Sequence, residues 1–229
     1  MKPVAKIHND FPTKFGLPRQ SLVAGSLMSK IVFEPEFRVA EALRGLERFS
    51  HIWLIWEFSE ASAEGWSPTV RPPRLGGNTR MGVFATRSPF RPNRLGLSSV
   101  KLEDIRDDGG NGTVLIVSGA DLMDGTPIYD IKPYLPGADS HPEARDGFVG
   151  ENPQRLLSVE IPAALMRQME DVFDSARIDT LREILAQDPR PAYQDNPERT
   201  YGFLYAGFDV HFTVSGDTLN LTGITKLAN

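Results

Sequence analysis

Prolines and glycines punctuate the first half of this chain. Short segments rich in aliphatic and aromatic residues alternate with turn-forming clusters, a spacing that admits strands but not long helices. Segments 4–8, 27–33, 51–58, 81–86, 97–103, 113–119 and 129–132 read as strands. Short strands at such intervals predict a barrel or a sandwich. Between the second and third, Val39, Ala40, Leu43 and Leu46 fall near helical spacing and predict a short helix over 38–46, ending near Gly45.

Residues 136–153 hold three prolines, three glycines and mixed charge, and read as a loop. The domain boundary falls there, dividing the chain into 1–140 and 150–229. Beyond it, 156–161 alternates like a strand, and Pro162 opens a helical pattern through Leu165, Met169, Val172 and Phe173. After a break near Ser175, the period resumes at Ile178, Leu181, Ile184 and Leu185 and ends before Pro189. Phe208, Val210, Phe212 and Val214 then alternate with polar residues, and Ser215-Gly216-Asp217 turns the chain toward Leu219 and Leu221, a hairpin. The pattern predicts a mainly β chain, α+β overall: a barrel or a sandwich followed by a small α+β domain.

Composition excludes several chemistries. With no cysteine there are no disulfides, zinc-thiolate sites, iron–sulfur clusters or cysteine nucleophiles, a composition that suits the cytoplasm. The most apolar run, 52–56, is far shorter than the ~20 residues of a bilayer span. His8, His51, His141 and His211 are scattered, so no metal site is expected. No Gly-x-Gly-x-x-Gly follows a strand, and there is no Walker A loop and no Gly-x-Ser-x-Gly elbow.

The net charge of −5 argues against indiscriminate nucleic-acid coating. The distribution of that charge points elsewhere. From Arg71 to Lys101 there are seven basic residues and no acid, which implies a local anion site. Within this window glycines and prolines fix the backbone between guanidinium groups suited to gripping phosphate. A second unusual stretch, 121–134, sets Asp121, Asp124, Asp130 and Tyr134 around a turn. A third, Leu17-Pro18-Arg19-Gln20, lies in a loop near the N-terminus.

The run Gly82-Val-Phe-Ala-Thr-Arg-Ser-Pro-Phe-Arg-Pro-Asn93, together with Asp124-Gly-Thr-Pro127 and Asp130-Ile-Lys-Pro-Tyr134, resembles the motifs of the TsaA-like family, the tRNA (adenine-37-N6)-methyltransferases called TrmO. Ser50-His51-Ile-Trp53, Thr69-Val-Arg-Pro-Pro-Arg74 and the distal Leu185-Ala-Gln-Asp-Pro-Arg-Pro-Ala-Tyr193 carry the likeness over nearly the whole chain. The resemblance implies a small closed β-barrel of non-Rossmann type, homodimeric, that binds S-adenosylmethionine and methylates N6 of threonylcarbamoyl-adenosine at position 37, in the anticodon loop of tRNA. Carried over by position, the cofactor contacts are Pro18, Arg19, Gln20, Ser59, Glu60, Arg87, Leu97, Leu122, Met123, Asp124 and Gly125. The chain departs from the family pattern at Ser59-Glu60, where His-Gln is frequent, and at Arg94-Leu95, where Pro-Ile is common.

Methyl transfer from a sulfonium depends mainly on alignment, but the N6 of a carbamoylated adenine is a weak nucleophile that must lose a proton. Asp130 or Asp121 is the expected acceptor, with Tyr134 and Asp124 also available. Turn capping explains each aspartate equally well. Arg71, Arg74, Arg91, Arg94 and Arg190 are expected to grip phosphates, with Tyr193 or one of Trp53, Trp56 and Trp66 stacking on a base. Trp53 and Trp56 fit the core better, and His51 fits a hydrogen-bonded structural role. Two alternatives stay open: a non-catalytic RNA-binding barrel, and a methyltransferase with a small-molecule substrate.

Overall fold

A computed structural model describes residues 1–60, 65–191, 194 and 196–228. In chain order its strands are β1 (Ala5–His8), β2 (Met28–Phe33), β3 (His51–Glu57), β4 (Thr69–Val70), β5 (Met81–Gly82), β6 (Leu95–Asp107), β7 (Thr113–Ser118) and β8 (Pro127–Pro133), followed by β9 (Ser158–Glu160), β10 (Tyr201–Tyr205), β11 (Phe208–Ser215) and β12 (Thr218–Lys226). The helices are α1 (Pro136–Asp139), α2 (Phe148–Glu151), α3 (Ala163–Glu170) and α4 (Ser175–Ala186).

Alternation decides the first half. Ile52, Leu54 and Trp56 point to one side of β3, while Trp53, Ile55 and Glu57 point to the other. The same period in the neighbouring strands sends Ala5, Ile7, Ile31, Val100, Leu115, Val117 and Ile128 inward. Burying every inner face at once closes the sheet into an antiparallel barrel in the order β1-β2-β7-β6-β3-β8. The fold class read from the sequence is the one observed.

Two local expectations fail. Over 38–46 the chain makes 3-10 turns at Ala40–Leu43 and Leu46–Arg48 instead of an α-helix. Gly45 in left-handed backbone (φ 90) splits the segment, and neither turn has a side-chain cap. Segment 81–86 is a strand for only two residues, β5 pairing with β4, before the 3-10 turn Val83–Ala85.

After α1 and α2, each a single turn, the second half builds a sheet in the order β10-β11-β12-β9, its last pair parallel. Met169, Leu181, Ile184 and Leu185 from α3 and α4 contribute to its core. The break between these helices is set by Asp174, whose side chain accepts from the backbone N–H of Arg177. β10 has no counterpart in the sequence reading. Its turn into β11 is Ala206-Gly207, both residues at positive φ (49 and 81), the backbone of a tight two-residue hairpin.

Residues 9–27, between β1 and β2, tie the two halves together. Phe11, Ala24 and Leu27 from this strap are buried in the core of the second sheet, among Phe173, Leu181, Phe203 and Tyr205. Gly16 (φ 83) lies so close to the Phe203 ring that a Cβ would come within 2.4 Å of it. Ser26 Oγ donates to Glu183 at 2.7 Å, and Arg177 pairs with Asp10 at 2.8 Å.

Gly96 on β6 tests the barrel packing. A Cβ there would meet the Trp56 indole at 2.2 Å. Gly96→Ala should therefore lower stability by about 1–3 kcal/mol in urea unfolding. An unchanged midpoint would mean that Trp56 has room to move.

Candidate active site

Three connections leave one end of the barrel: the strap 9–27 from β1 to β2, the long loop 58–94 from β3 to β6, and the turn 119–126 from β7 to β8. These segments carry Pro18, Arg19 and Gln20, then Ser59, Glu60 and Arg87, then Leu122, Met123, Asp124 and Gly125. Of the expected cofactor contacts, Leu97 alone lies within a strand.

The turn is stitched to both neighbours. Gly125 adopts φ 76 in the tight turn closed by Thr126 N–H to the Met123 carbonyl, a conformation that suits glycine. Asp124 accepts from the backbone N–H of Asn9 at 3.1 Å, and its Oδ1 lies 3.1 Å from His8 Nδ1. Asn9 in turn donates to the Leu122 carbonyl at 2.7 Å. The Leu122 side chain is buried in the barrel, so only its backbone faces this region.

Asp121 is the hub of the cluster. The indole N–H of Trp56 donates to Ser98 Oγ at 3.0 Å, and Ser98 donates onward to Asp121 Oδ1 at 2.5 Å. The direction is fixed, because an indole can only donate. Ser98 is 1% exposed and faces the barrel interior. Burial raises the Asp121 carboxyl above its ordinary value, against the opposing pull of the Ser98 hydroxyl, the Arg87 charge and the Ser21 backbone N–H. Next to Ser21, Leu22 adopts left-handed backbone (φ 64), and its N–H donates to the Gly119 carbonyl at 2.7 Å. For a branched non-glycine residue this conformation costs about 1–3 kcal/mol and requires support from its surroundings.

The other two catalytic candidates stand apart from this hub. On the outer face of the barrel, Leu97, Ile55 and Asp130 share one row across β6, β3 and β8. Asp130 pairs with Lys132 at 2.9 Å and lines a groove of about 430 Å³ with Phe33, Phe37 and Leu43. Tyr134 belongs to the opposite end of the barrel, where its N–H bonds the His51 carbonyl and its ring packs on Trp53. His51 Nδ1 is hydrogen-bonded to Ser50 Oγ at 2.9 Å. Trp56 lies in the core, whereas Trp53 is half-buried and donates to Asp139.

The expected RNA-contacting arginines divide by environment. Arg71 is exposed. Arg74 donates to the Asn152 carbonyl and Gln154 Oε1, fastening the inter-domain segment. Arg91 donates to the Thr86 carbonyl at 2.8 Å and lies over the Phe84 ring. Arg94, a departure from the family pattern, lies 3.5 Å from Glu57 at the end of β3. Arg190 grips Asp188. Tyr193 lies outside the described residues. Sequence reasoning missed Ser98, whose partner Asp121 is 23 positions away and whose inward orientation depends on strand register. It also missed Phe84, 74% exposed, and exposed Phe90, both within the arginine window, whereas the candidate stacking residue Trp66 is exposed as expected of one. Among the described residues no cluster of His, Asp and Glu could hold a metal ion, and no helix is long and apolar enough to cross a membrane.

These features define a six-stranded barrel protein of non-Rossmann type, with a strap, an acidic turn and an arginine-bearing loop gathered at one end. The tRNA-methyltransferase O N-terminal domain matches residues 6–140 and the TrmO C-terminal domain matches residues 154–227. A tRNA (adenine(37)-N6)-methyltransferase of Escherichia coli is 41% identical over 93% of this chain and 92% of its own length. A Pseudomonas aeruginosa protein named for S-adenosylmethionine-dependent methyl transfer is 42% identical over 93% of this chain and 91% of its own. A crystal structure of TrmO from P. aeruginosa superposes with a TM-score of 0.78 at 33% identity, covering 98% of this chain and 95% of that one. The chain belongs to the tRNA-methyltransferase O family.

The buried carboxyl sets a pH signature. Because the folded-state pKa of Asp121 lies above its ordinary 3.8, the folded chain holds a proton in a range where the unfolded chain has lost it. Stability contributed by this group is present below 3.8 and is lost as pH rises through the folded pKa. Relative to the parent, Asp121→Asn should gain stability across that window and then level off, as read by urea unfolding at successive pH values. A pH-independent difference would contradict the raised pKa.

Proposed function

We propose that this chain transfers a methyl group from S-adenosylmethionine to N6 of the adenine at position 37 of tRNA, and that the adenine carries a threonylcarbamoyl group. The observation that carries the reading is the convergence of three sequence-distant connections at one barrel end, which gathers the family-matched positions of the strap, the long loop and the turn. The Escherichia coli relative that matches both halves of the chain is named a tRNA (adenine(37)-N6)-methyltransferase, which supports the position and the atom methylated.

The groups present suit such a cofactor. Arg87 offers a cation to a carboxylate, Asp124 offers an acceptor to an ammonium or a hydroxyl, and exposed Leu97 offers apolar surface. When bound, the cofactor supplies an electrophilic methyl group. The chain's own part is to align adenine N6 and to accept its proton. We assign that proton to Asp121, because burial makes its carboxylate more basic and it sits at the barrel end where the expected cofactor positions gather. Ser98 and Trp56 fix its orientation.

For the RNA, position 37 lies in a single-stranded loop whose bases can be splayed and stacked on aromatic rings. Exposed Arg71, Arg80 and Arg87 together with Trp66, Phe84 and Phe90 supply cations and ring faces in one stretch, 66–94, that contains no acid. The second domain is read as assisting tRNA binding, with Arg74, Arg91 and Arg94 shaping the loop and its junction with that domain. We also read the protein as a cytoplasmic homodimer.

Calorimetric titration with S-adenosylmethionine tests the reading. Saturable binding is expected, weakened about tenfold or more by Arg87→Ala, the loss of one charged hydrogen bond. Asp121→Asn should bind nearly as the parent does while losing about 100-fold or more in kcat on tRNA, and Asp130→Asn should keep most of its turnover. Absence of cofactor binding by folded protein would favour the non-catalytic RNA-binding reading. Full turnover by Asp121→Asn would remove Asp121 as the base.

A further inference from the structure

The turn that follows α4 is built for an internal partner. Asp188 adopts left-handed backbone (φ 52), a strained conformation for a residue with a side chain. It is held there by Arg190, which grips the Asp188 carboxylate at two points, Nε to Oδ1 and Nη2 to Oδ2, each at 2.8 Å. The Arg190 backbone N–H also donates to Oδ1 at 3.3 Å. The Arg190 side chain is only 11% exposed, so this planar two-point pair is substantially shielded from water.

The shape so imposed aims two carbonyls at one guanidinium. Arg19 Nη2, on the strap, donates to the Arg190 carbonyl at 3.1 Å and to the Asp188 carbonyl at 3.4 Å. The same turn accepts Gln154 Nε2 at the Gln187 carbonyl, 2.9 Å, and Gln154 Oε1 receives Arg74. Gly16, Leu17, Pro18 and Arg19 face Gln187, Asp188 and Pro189 across the seam. The strap segment beside Asp121 therefore rests on carbonyls whose direction depends on the Asp188–Arg190 pair.

We propose that Arg190 is a positioning residue for the strap rather than a phosphate contact: with Asp188 it shapes the turn whose carbonyls hold Arg19, and it thereby sets the cofactor-facing geometry of residues 18–20. The proposal rests on the reading of those residues as cofactor contacts. It makes the second domain a working part of the site at the barrel end, and it explains why an arginine in an RNA-facing family carries its charge largely out of water. Lysine does not replace it, because a single ammonium cannot make the two-point pair.

The test uses the full chain and three readouts. Arg190→Ala and Arg190→Lys should each weaken S-adenosylmethionine affinity about tenfold, a loss on the scale of one charged hydrogen bond. The double variant Arg19→Ala/Arg190→Ala should bind no more weakly than Arg19→Ala alone, because Arg190 acts through Arg19. Backbone amides of residues 16–22 should exchange faster in Arg190→Ala, with or without cofactor. The slope of log tRNA affinity against log salt should stay that of the parent in Arg190→Ala, while exposed Arg71→Ala flattens it by about 0.7. Additive loss in the double variant, unchanged amide exchange, or a flattened salt slope in Arg190→Ala would each overturn the proposal. If the parent itself binds no S-adenosylmethionine, the methyltransferase reading fails, and amide exchange still decides whether Arg190 holds the strap.

Discussion

Burial of the strap in the second domain is the constraint on which the site depends. Phe11, Ala24 and Leu27 belong by sequence to the barrel half but by packing to the core of the second sheet. Loops at a barrel end are ordinarily the most mobile part of such a fold. Here apolar burial, the Arg177–Asp10 pair and the Ser26–Glu183 bond fix the strap's path from outside, while Asp124 and Gly119 hold it to the turn. The strain in Leu22 persists because both sides over-determine it. A barrel separated from its second domain would expose those apolar side chains and lose the support of residues 16–22.

Against this frame the barrel wall separates two kinds of carboxylate. Asp121 turns inward, receives the Ser98 hydroxyl and is raised by burial. Asp130 turns outward, pairs with Lys132 and sits over an apolar groove. In sequence both are aspartates near glycine or proline, and only the fold distinguishes them, Asp121 on the turn between β7 and β8 and Asp130 on β8 itself. Charge is sorted in the same way. In the acid-free window, Arg74 and Arg91 are spent on backbone carbonyls, while Arg71 stays exposed.

The barrel was legible because period-two burial is local and repeated in strand after strand. Segments 4–8, 27–33, 51–58 and 113–119 end within a residue of the observed strands for that reason. The 38–46 segment misled because four apolar residues at near-helical spacing also suit successive 3-10 turns once Gly45 takes positive φ. β10 escaped notice because Gly202 and Gly207 read as punctuation, whereas its strand identity comes from pairing with β11. The resemblance pointed to the candidate site residues, but it did not reveal the Trp56–Ser98–Asp121 chain or the fate of Arg190. The first depends on contacts between positions 23 and 42 apart and the second on Arg19, 171 positions from Arg190, which no window of sequence displays, although the Asp188–Arg190 pair itself is local.

The central claim, methyl transfer to adenine N6 at position 37, is tested most directly by nucleoside mass spectrometry of tRNA treated with the protein and S-adenosylmethionine. A one-methyl mass increase is expected on the threonylcarbamoyl-adenosine nucleoside, mapped to position 37. No methylated nucleoside from protein that binds both tRNA and cofactor would contradict it, and a methyl group on unmodified adenosine would contradict the substrate assigned.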